Sequence, residues 1–317
     1  MDRARITSEI SPRDTDGRED DQLAVAIAAV LCGAVIFSLG DVLVKLMSVD
    51  LSLWQMLVLR AAIVVPALIC LCRFRRNPVR LRPVNMRWTS VRNLLMILMW
   101  VSYYGSILVL PVAVAASIYY TMPILVTLIA AVVLGQRVGP LGWAGVCVGF
   151  VGVLLIVKPD NADFTLYTML PFASALFFAI AIIITRTKIR REDPFVMAIN
   201  LQLGFLLVGL AATGLIYGFG GISGTSLKAF LGGPWQSLGQ SEWLMIVLLA
   251  VIITAGNICT AIAYQRGSSV TVATFSFAYI PFVAVWGFLL FDEVPDLRTI
   301  MGILMIVGAG LVSIRAS

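Results

Sequence analysis

The stretch YYTMPILVTLIAAVVLGQRVGPLGWAGVCVGFVGVLLIV, residues 119–157, returns in altered form as FAYIPFVAVWGFLLFDEVPDLRTIMGILMIVGAGLVSI at 277–314. In each copy a tyrosine and a proline open an apolar run, and a polar residue, Gln136 or Glu293, closes it. A glycine follows nine positions later, Gly145 or Gly302, and leads into a Gly-rich apolar segment. An offset of 157 superposes the last two landmarks and leaves Pro123 and Pro281 one residue out of step. A repeat of this length fixes the architecture before any single element is read.

Working outward from the two copies, mainly apolar runs long enough to cross hydrocarbon at about 1.5 Å per helical residue fall near 23–47, 51–72, 89–110, 112–134 and 140–157. A second set follows near 165–185, 195–217, 242–263, 269–291 and 297–314. The expected fold is an all-α integral membrane protein of ten transmembrane helices: a first repeat over 22–158 (helices 1–5), a second over 159–317 (helices 6–10), and a tail at 1–21. Five is odd, so the second copy enters from the opposite face, the inverted-repeat plan of many secondary transporters, with the substrate site at the midplane between the halves.

Composition agrees. Of 317 residues 60% are hydrophobic and 13% charged, with a mean hydropathy of +0.97, against about 45–50% apolar residues in soluble domains. Basic residues give the orientation: with a cytosolic N-terminus, 17 of the 23 Lys and Arg fall on the inner side and three on the outer. This bias places both termini in the cytosol of a multi-pass protein of the cytoplasmic (inner) membrane. The net charge of +6 therefore sits in loops and tails and implies no nucleic acid. Residues 1–20 mix four arginines with six acids and hold no apolar run, a composition expected to be disordered.

The same inventory excludes chemistry. Histidine is absent, which removes Ser-His-Asp catalysis and His-ligated metals. The five cysteines lie in apolar segments without metal or disulfide spacing, and no Walker motif marks ATP hydrolysis. No catalytic residue, metal or cofactor is expected. An embedded enzyme would need paired acids at a span end, and Asp160 with Asp163, or Asp292, Glu293 and Asp296, fall in outer loops; a non-transporting scaffold is the other alternative.

Two five-helix copies, each ending in a Pro-bearing helix, a short turn (Leu134-Gly135-Gln136 or Asp292-Glu293) and a Gly-rich helix, resemble the EamA repeats of the drug/metabolite transporter superfamily. The segment GDVLVKLM at 40–47, Leu59-Arg60 and Arg92-Asn93 resemble the subgroup that contains bacterial S-adenosylmethionine uptake carriers and riboflavin-type relatives. The resemblance implies a secondary transporter of a small polar or zwitterionic organic metabolite, of the S-adenosylmethionine, nucleoside, flavin or amino-acid kind, working by alternating access. At Gln136, where the family commonly has Glu, the amide suggests that this position and Glu293 cap or pack the turn.

Charges inside spans need a reason, because each costs about 2.5–3.5 kcal/mol at a helix centre even on the lenient insertion scale. Asp41 and Lys45 lie four apart in the first run and Arg60 nine residues into the second. One reading is a local salt bridge of Asp41 with Lys45, the lysine snorkelling outward. The other is a network of all three facing a wet cavity, with Lys45 and Arg60 binding or gating the substrate and Asp41 holding them. Two bases against one acid would then favour a carboxylate-bearing or zwitterionic solute. Arg92, at the inner start of helix 3, reads as an anchor and a secondary candidate.

Trp100, Tyr103 and Tyr120 on helices 3 and 4 and Tyr279 on helix 9 are candidates to stack on a flat solute, Tyr103 and its neighbour Tyr104 also suiting an interfacial belt. Asn257, beside Gly256, and Asn200 are the amide candidates of the second half. Pro123 and Pro281 free a carbonyl each and are read as paired hinges that bend helices 4 and 9 around the cavity. The glycines of helices 5 and 10 suit close packing, within one chain or between two, so monomer and homodimer both remain. The partners implied are a small-molecule substrate, the lipid bilayer, and protons or a counter-solute.

Overall fold

The computed structural model describes residues 12–48, 50–74, 82–135, 139–157, 166–220, 226–266 and 275–315. Among them the chain is helical throughout, with no strand. Helix α1 spans Pro12–Met47, α2 Leu53–Arg73, α3 Met86–Val109, α4 Val112–Tyr119, α5 Met122–Leu134 and α6 Pro140–Val157. After a 3-10 turn at Leu166–Thr168 come α7 (Met169–Lys188), α8 (Pro194–Gly218), the short α9 (Ser226–Gly232), α10 (Gln240–Arg266), α11 (Tyr279–Phe291) and α12 (Leu297–Arg315).

Each apolar run of the sequence is helical, the run 112–134 through two helices. Among the described residues six spans are long and apolar enough to cross a membrane, α4 and α5 together forming one of them, and four apolar helices are shorter. Two boundaries differ from expectation. The tail expected to be disordered through 21 is helical from Pro12, because PRDTDGREDD continues the backbone ladder of α1 ahead of its apolar part, Gln22–Met47. The single helix expected over 112–134 is two, α4 and α5, with turn residues at 120 and 121. Pro123 has no N–H to offer the carbonyl four residues back, which ends the ladder there. The second repeat breaks at the same place: residues 275 and 276 are helical, 277 and 278 form a turn, and α11 starts two residues before Pro281.

The helices pack by exchange between the halves. α1 lies against α10, α2 against α8, α3 against α7, α5 against α7, α1 against α11, and α6 against α12. Numbering the apolar runs one to ten, these are 1–8, 2–7, 3–6, 4–6, 9–1 and 5–10. Moving every helix five places along turns the set into itself, as two copies related by a pseudo-two-fold axis require.

Close approach at α6 and α12 shows what the glycines are for. A Cβ on Gly152 would stand 2.9 Å from the carbonyl oxygen of Gly302, and one on Gly302 would stand 2.7 Å from that of Gly152. The small-residue stripes therefore join the two halves within one chain. Large apolar side chains such as Val132, Leu207, Leu244, Leu289 and Leu304 point outward, a surface that only acyl chains solvate without cost.

Candidate functional site

A cavity of about 240 Å³ opens between the halves, lined from α1, α3, α4, α5, α7, α10, the 275–278 turn and α11. Among the described residues its charged lining residue is Asp41, and no lysine or arginine lines it. Asp41 is 6% exposed. Tyr103 donates its hydroxyl to Oδ2 at 2.8 Å, Tyr279 donates to the same oxygen, and the two hydroxyls lie 3.1 Å apart. Neither tyrosine occupies Oδ1. Hydrogen bonds to a charged group contribute about 1.5–3 kcal/mol each, which offsets part of the cost of burying an acid here.

Rings close the cavity round this carboxylate. Tyr120 stacks on Tyr279 at 5.2 Å and 19°, and meets Phe277 at 5.7 Å. Tyr119 lies 5.2 Å from Tyr103 and 5.9 Å from Phe178, and Trp100 stands edge-on to Tyr103 at 6.4 Å. Phe37, Thr260 and Ser276 complete the named wall. Tyr120 and Phe277 are related by the offset of 157, so residues equivalent in the repeats touch. The two helix breaks consequently meet beside the pseudo-two-fold axis.

On α1 the cavity is lined from Val30 to Asp41, on the N-terminal side of Lys45, and on α10 by Thr260 and Ala263 in its C-terminal part. The opposite end is sealed. Lys45 forms an ion pair with Glu293, gives a further hydrogen bond to the Leu110 carbonyl at 3.2 Å, and sits 4.8 Å over the Phe291 ring. Glu293 accepts from the Val112 N–H at 2.8 Å, satisfying an orphan donor at the start of α4. A left-handed Asp292 (φ 53°) ends α11, and Glu293 N–H returns to the Gly287 carbonyl at 3.1 Å. That turn aims Glu293 back across the bundle. Leu43, Met47, Leu53, Ile107, Val112, Ile246 and Val283 are buried together in one apolar cluster.

Several expectations are corrected by this geometry. Asp41, Lys45 and Arg60 do not form one network, nor do Asp41 and Lys45 pair along their helix. Tyrosine hydroxyls hold the acid, and the lysine turns to Glu293 on the other half. Arg60, 2% exposed, is absent from the lining. It donates to the Tyr104 hydroxyl at 3.3 Å and lies 5.1 Å over the Phe205 ring, with Nε unpartnered. Among the described residues the lining therefore carries an acid and no base, against the surplus of bases expected.

Tyr103 and Tyr104 are 3% and 2% exposed, which rules out a belt at the membrane surface. Asn257 is an exposed residue of α10 away from the lining, because Gly256, its neighbour, already occupies the face against Phe37. Asn200 returns its amide to the Val196 carbonyl of its own helix at 2.8 Å and lies outside the lining. Arg92 is half-buried and donates to Asn93 at 3.0 Å. Gln136 lies outside the described residues. Glu293 caps α4 and also lies against Gly287 at its own turn.

The family model described as the EamA-like transporter family matches residues 24–158 and 165–315, once for each half. The chain belongs to the EamA-like transporter family. Among its relatives it is 28% identical over 291 residues to the pseudopaline exporter CntI of Pseudomonas aeruginosa, covering 91% of this chain and 95% of that one. It is 27% identical to a riboflavin transporter of Vibrio cholerae over 62% of this chain and 60% of that one. To an S-adenosylmethionine uptake transporter of Rickettsia prowazekii it is 23% identical over 70% and 69%. A solved crystal structure shares the fold at a TM-score of 0.61 and 17% identity, over 93% of this chain and 97% of that one.

This EamA protein is thus a multi-pass membrane transporter of small molecules. The resemblance carried by Pro123, Pro281, the two turns and the glycines identified the family. Missed in the sequence were Phe37 and Phe178 as cavity walls and Glu293 as the partner of Lys45. The phenylalanines look like any membrane-core residue. Glu293 carried one signal, a carboxylate at the end of an apolar run facing a lysine at the end of another.

Proposed function

We propose that this EamA protein carries a small organic metabolite across the cytoplasmic membrane by alternating access, with ten spans in two inverted repeats and both termini cytosolic. The single observation that carries the reading is the cavity itself: both halves wall it, it surrounds a buried carboxylate, and it is sealed at one end. With the N-terminus inside, the state described is open inward and closed outward by Lys45 and Glu293.

In this reading Asp41, Trp100, Tyr103, Tyr120 and Tyr279 bind the solute, while Lys45 works the outer gate. The breaks ahead of Pro123 and Pro281 act as paired hinges. The relatives named for pseudopaline, riboflavin and S-adenosylmethionine support a polar organic solute. Protons or a counter-solute supply the drive.

Uptake of labelled S-adenosylmethionine, riboflavin, a nucleoside and an amino acid into proteoliposomes tests the reading. At least one is expected to accumulate with the wild type and none with Asp41→Asn. Collapsing the pH gradient should abolish accumulation under proton coupling, and it should persist with solute preloaded under exchange. A solute carried equally well by Asp41→Asn overturns the assignment of the site.

A further inference from the structure

We propose that the cavity selects a positively charged organic solute, its onium or protonated amine centre resting on Oδ1 of Asp41 and a flat apolar body lying among Trp100, Tyr119 and the Tyr120–Tyr279 pair. The inference deepens the carrier reading and rests on this cavity being the solute site.

Charge accounting within the bundle is the first support. Among the described residues the lining contains a carboxylate and no lysine or arginine. Lys45 and Arg60, the bases within the apolar parts of the first two helices, are engaged elsewhere, Lys45 by Glu293 at the sealed end and Arg60 against Tyr104 and Phe205. A carboxylate in surroundings of low dielectric that lacks a basic neighbour attracts a mobile cation more strongly than it would in water, against the cost of desolvating both.

Orientation is the second. Tyr103 and Tyr279 both donate to Oδ2, which fixes the carboxylate while bringing no positive charge to it. Oδ1 keeps its acceptor capacity for a ligand. The third support is the wall. Ring faces carry negative potential and attract cations, and rings grouped around an anion form the arrangement that recognises onium groups. The volume, about 240 Å³, is below the roughly 300–1,000 Å³ of drug-sized pockets, so the solute portion enclosed is small.

Three probes of matched shape test this on the full-length protein in detergent by calorimetric titration: N-methylquinolinium, quinoline and quinoline-4-carboxylate, at a pH where they are cationic, neutral and anionic. The wild type is expected to bind the cation at least tenfold more tightly than either other probe. Asp41→Asn, whose amide still accepts from both tyrosines, is expected to bind cation and neutral probe within about threefold of each other. Asp41→Glu should restore the preference.

On unmodified protein, tetramethylammonium should displace N-methylquinolinium and sodium acetate should not, a readout that needs no variant to fold. Equal or tighter binding of the neutral or anionic probe, no binding of the cation, or a preference retained in Asp41→Asn overturns the proposal. Titration requires no flux. Cation-selective binding without transport would uphold this inference and sink the carrier reading, and transport of solutes without charge preference would do the reverse.

Discussion

Asp41 and Lys45 stand one helical turn apart and end up with different partners, for reasons of geometry that a linear sequence does not display. An acid–base pair at i, i+4 contributes only about 0.2–0.5 kcal/mol, less than either side chain gains by reaching another helix. Asp41 gains two tyrosine donors from α3 and α11, and Lys45 gains a carboxylate, a carbonyl and a ring face at the sealed end. The sequence did identify both residues, through the cost of charge in a span, and it pointed to Trp100, Tyr103, Tyr120 and Tyr279. It misplaced Arg60, since depth alone does not say whether a guanidinium faces a cavity or a packed ring. Replacing a buried charge with an apolar side chain of similar volume is often neutral or stabilising. Arg60→Met is therefore expected to melt at or above the wild-type temperature and to retain uptake. Loss of uptake in a well-folded Arg60→Met protein would return Arg60 to the pathway.

At the scale of elements, apolar runs and prolines made the helices and both breaks legible. Partners across the bundle were not, because they depend on which faces the two-fold axis brings together. The sealed end illustrates this: α1 supplies Lys45, the end of α11 supplies Glu293, and the start of α4 supplies the Val112 N–H. In a double-mutant cycle of Lys45→Met and Glu293→Gln, measured by thermal or denaturant unfolding in detergent, a coupling of about 1–3 kcal/mol is expected for residues in contact. Additive effects would mean the pair contributes nothing to closure. The α6–α12 seam makes a second test. Gly152→Val would force a branched side chain against the Gly302 backbone, and overpacking of this kind costs about 1–3 kcal/mol. A lowered melting temperature with an unchanged oligomeric state is expected; a change of oligomer instead would place the stripe between chains.

For the whole molecule, the duplication was legible from landmarks at a constant offset, and its physical meaning emerges where the copies meet. Tyr120 and Phe277, equivalent in the repeat, touch beside the axis, so the two helix breaks face each other across the cavity. Two halves with identical plans and opposed entry allow a second state in which inner and outer ends exchange roles. Such a state differs from the first by rocking of one half on the other and needs the Lys45–Glu293 pair to part. Ile107 lies fully buried at the sealed end and reports that parting directly. In a protein whose native cysteines have been replaced, Ile107→Cys is labelled by a membrane-impermeant maleimide added outside intact cells. Alternating access predicts slow but measurable labelling, several-fold faster when Glu293→Gln is added. No labelling in either background, with the protein folded and transporting, would contradict it.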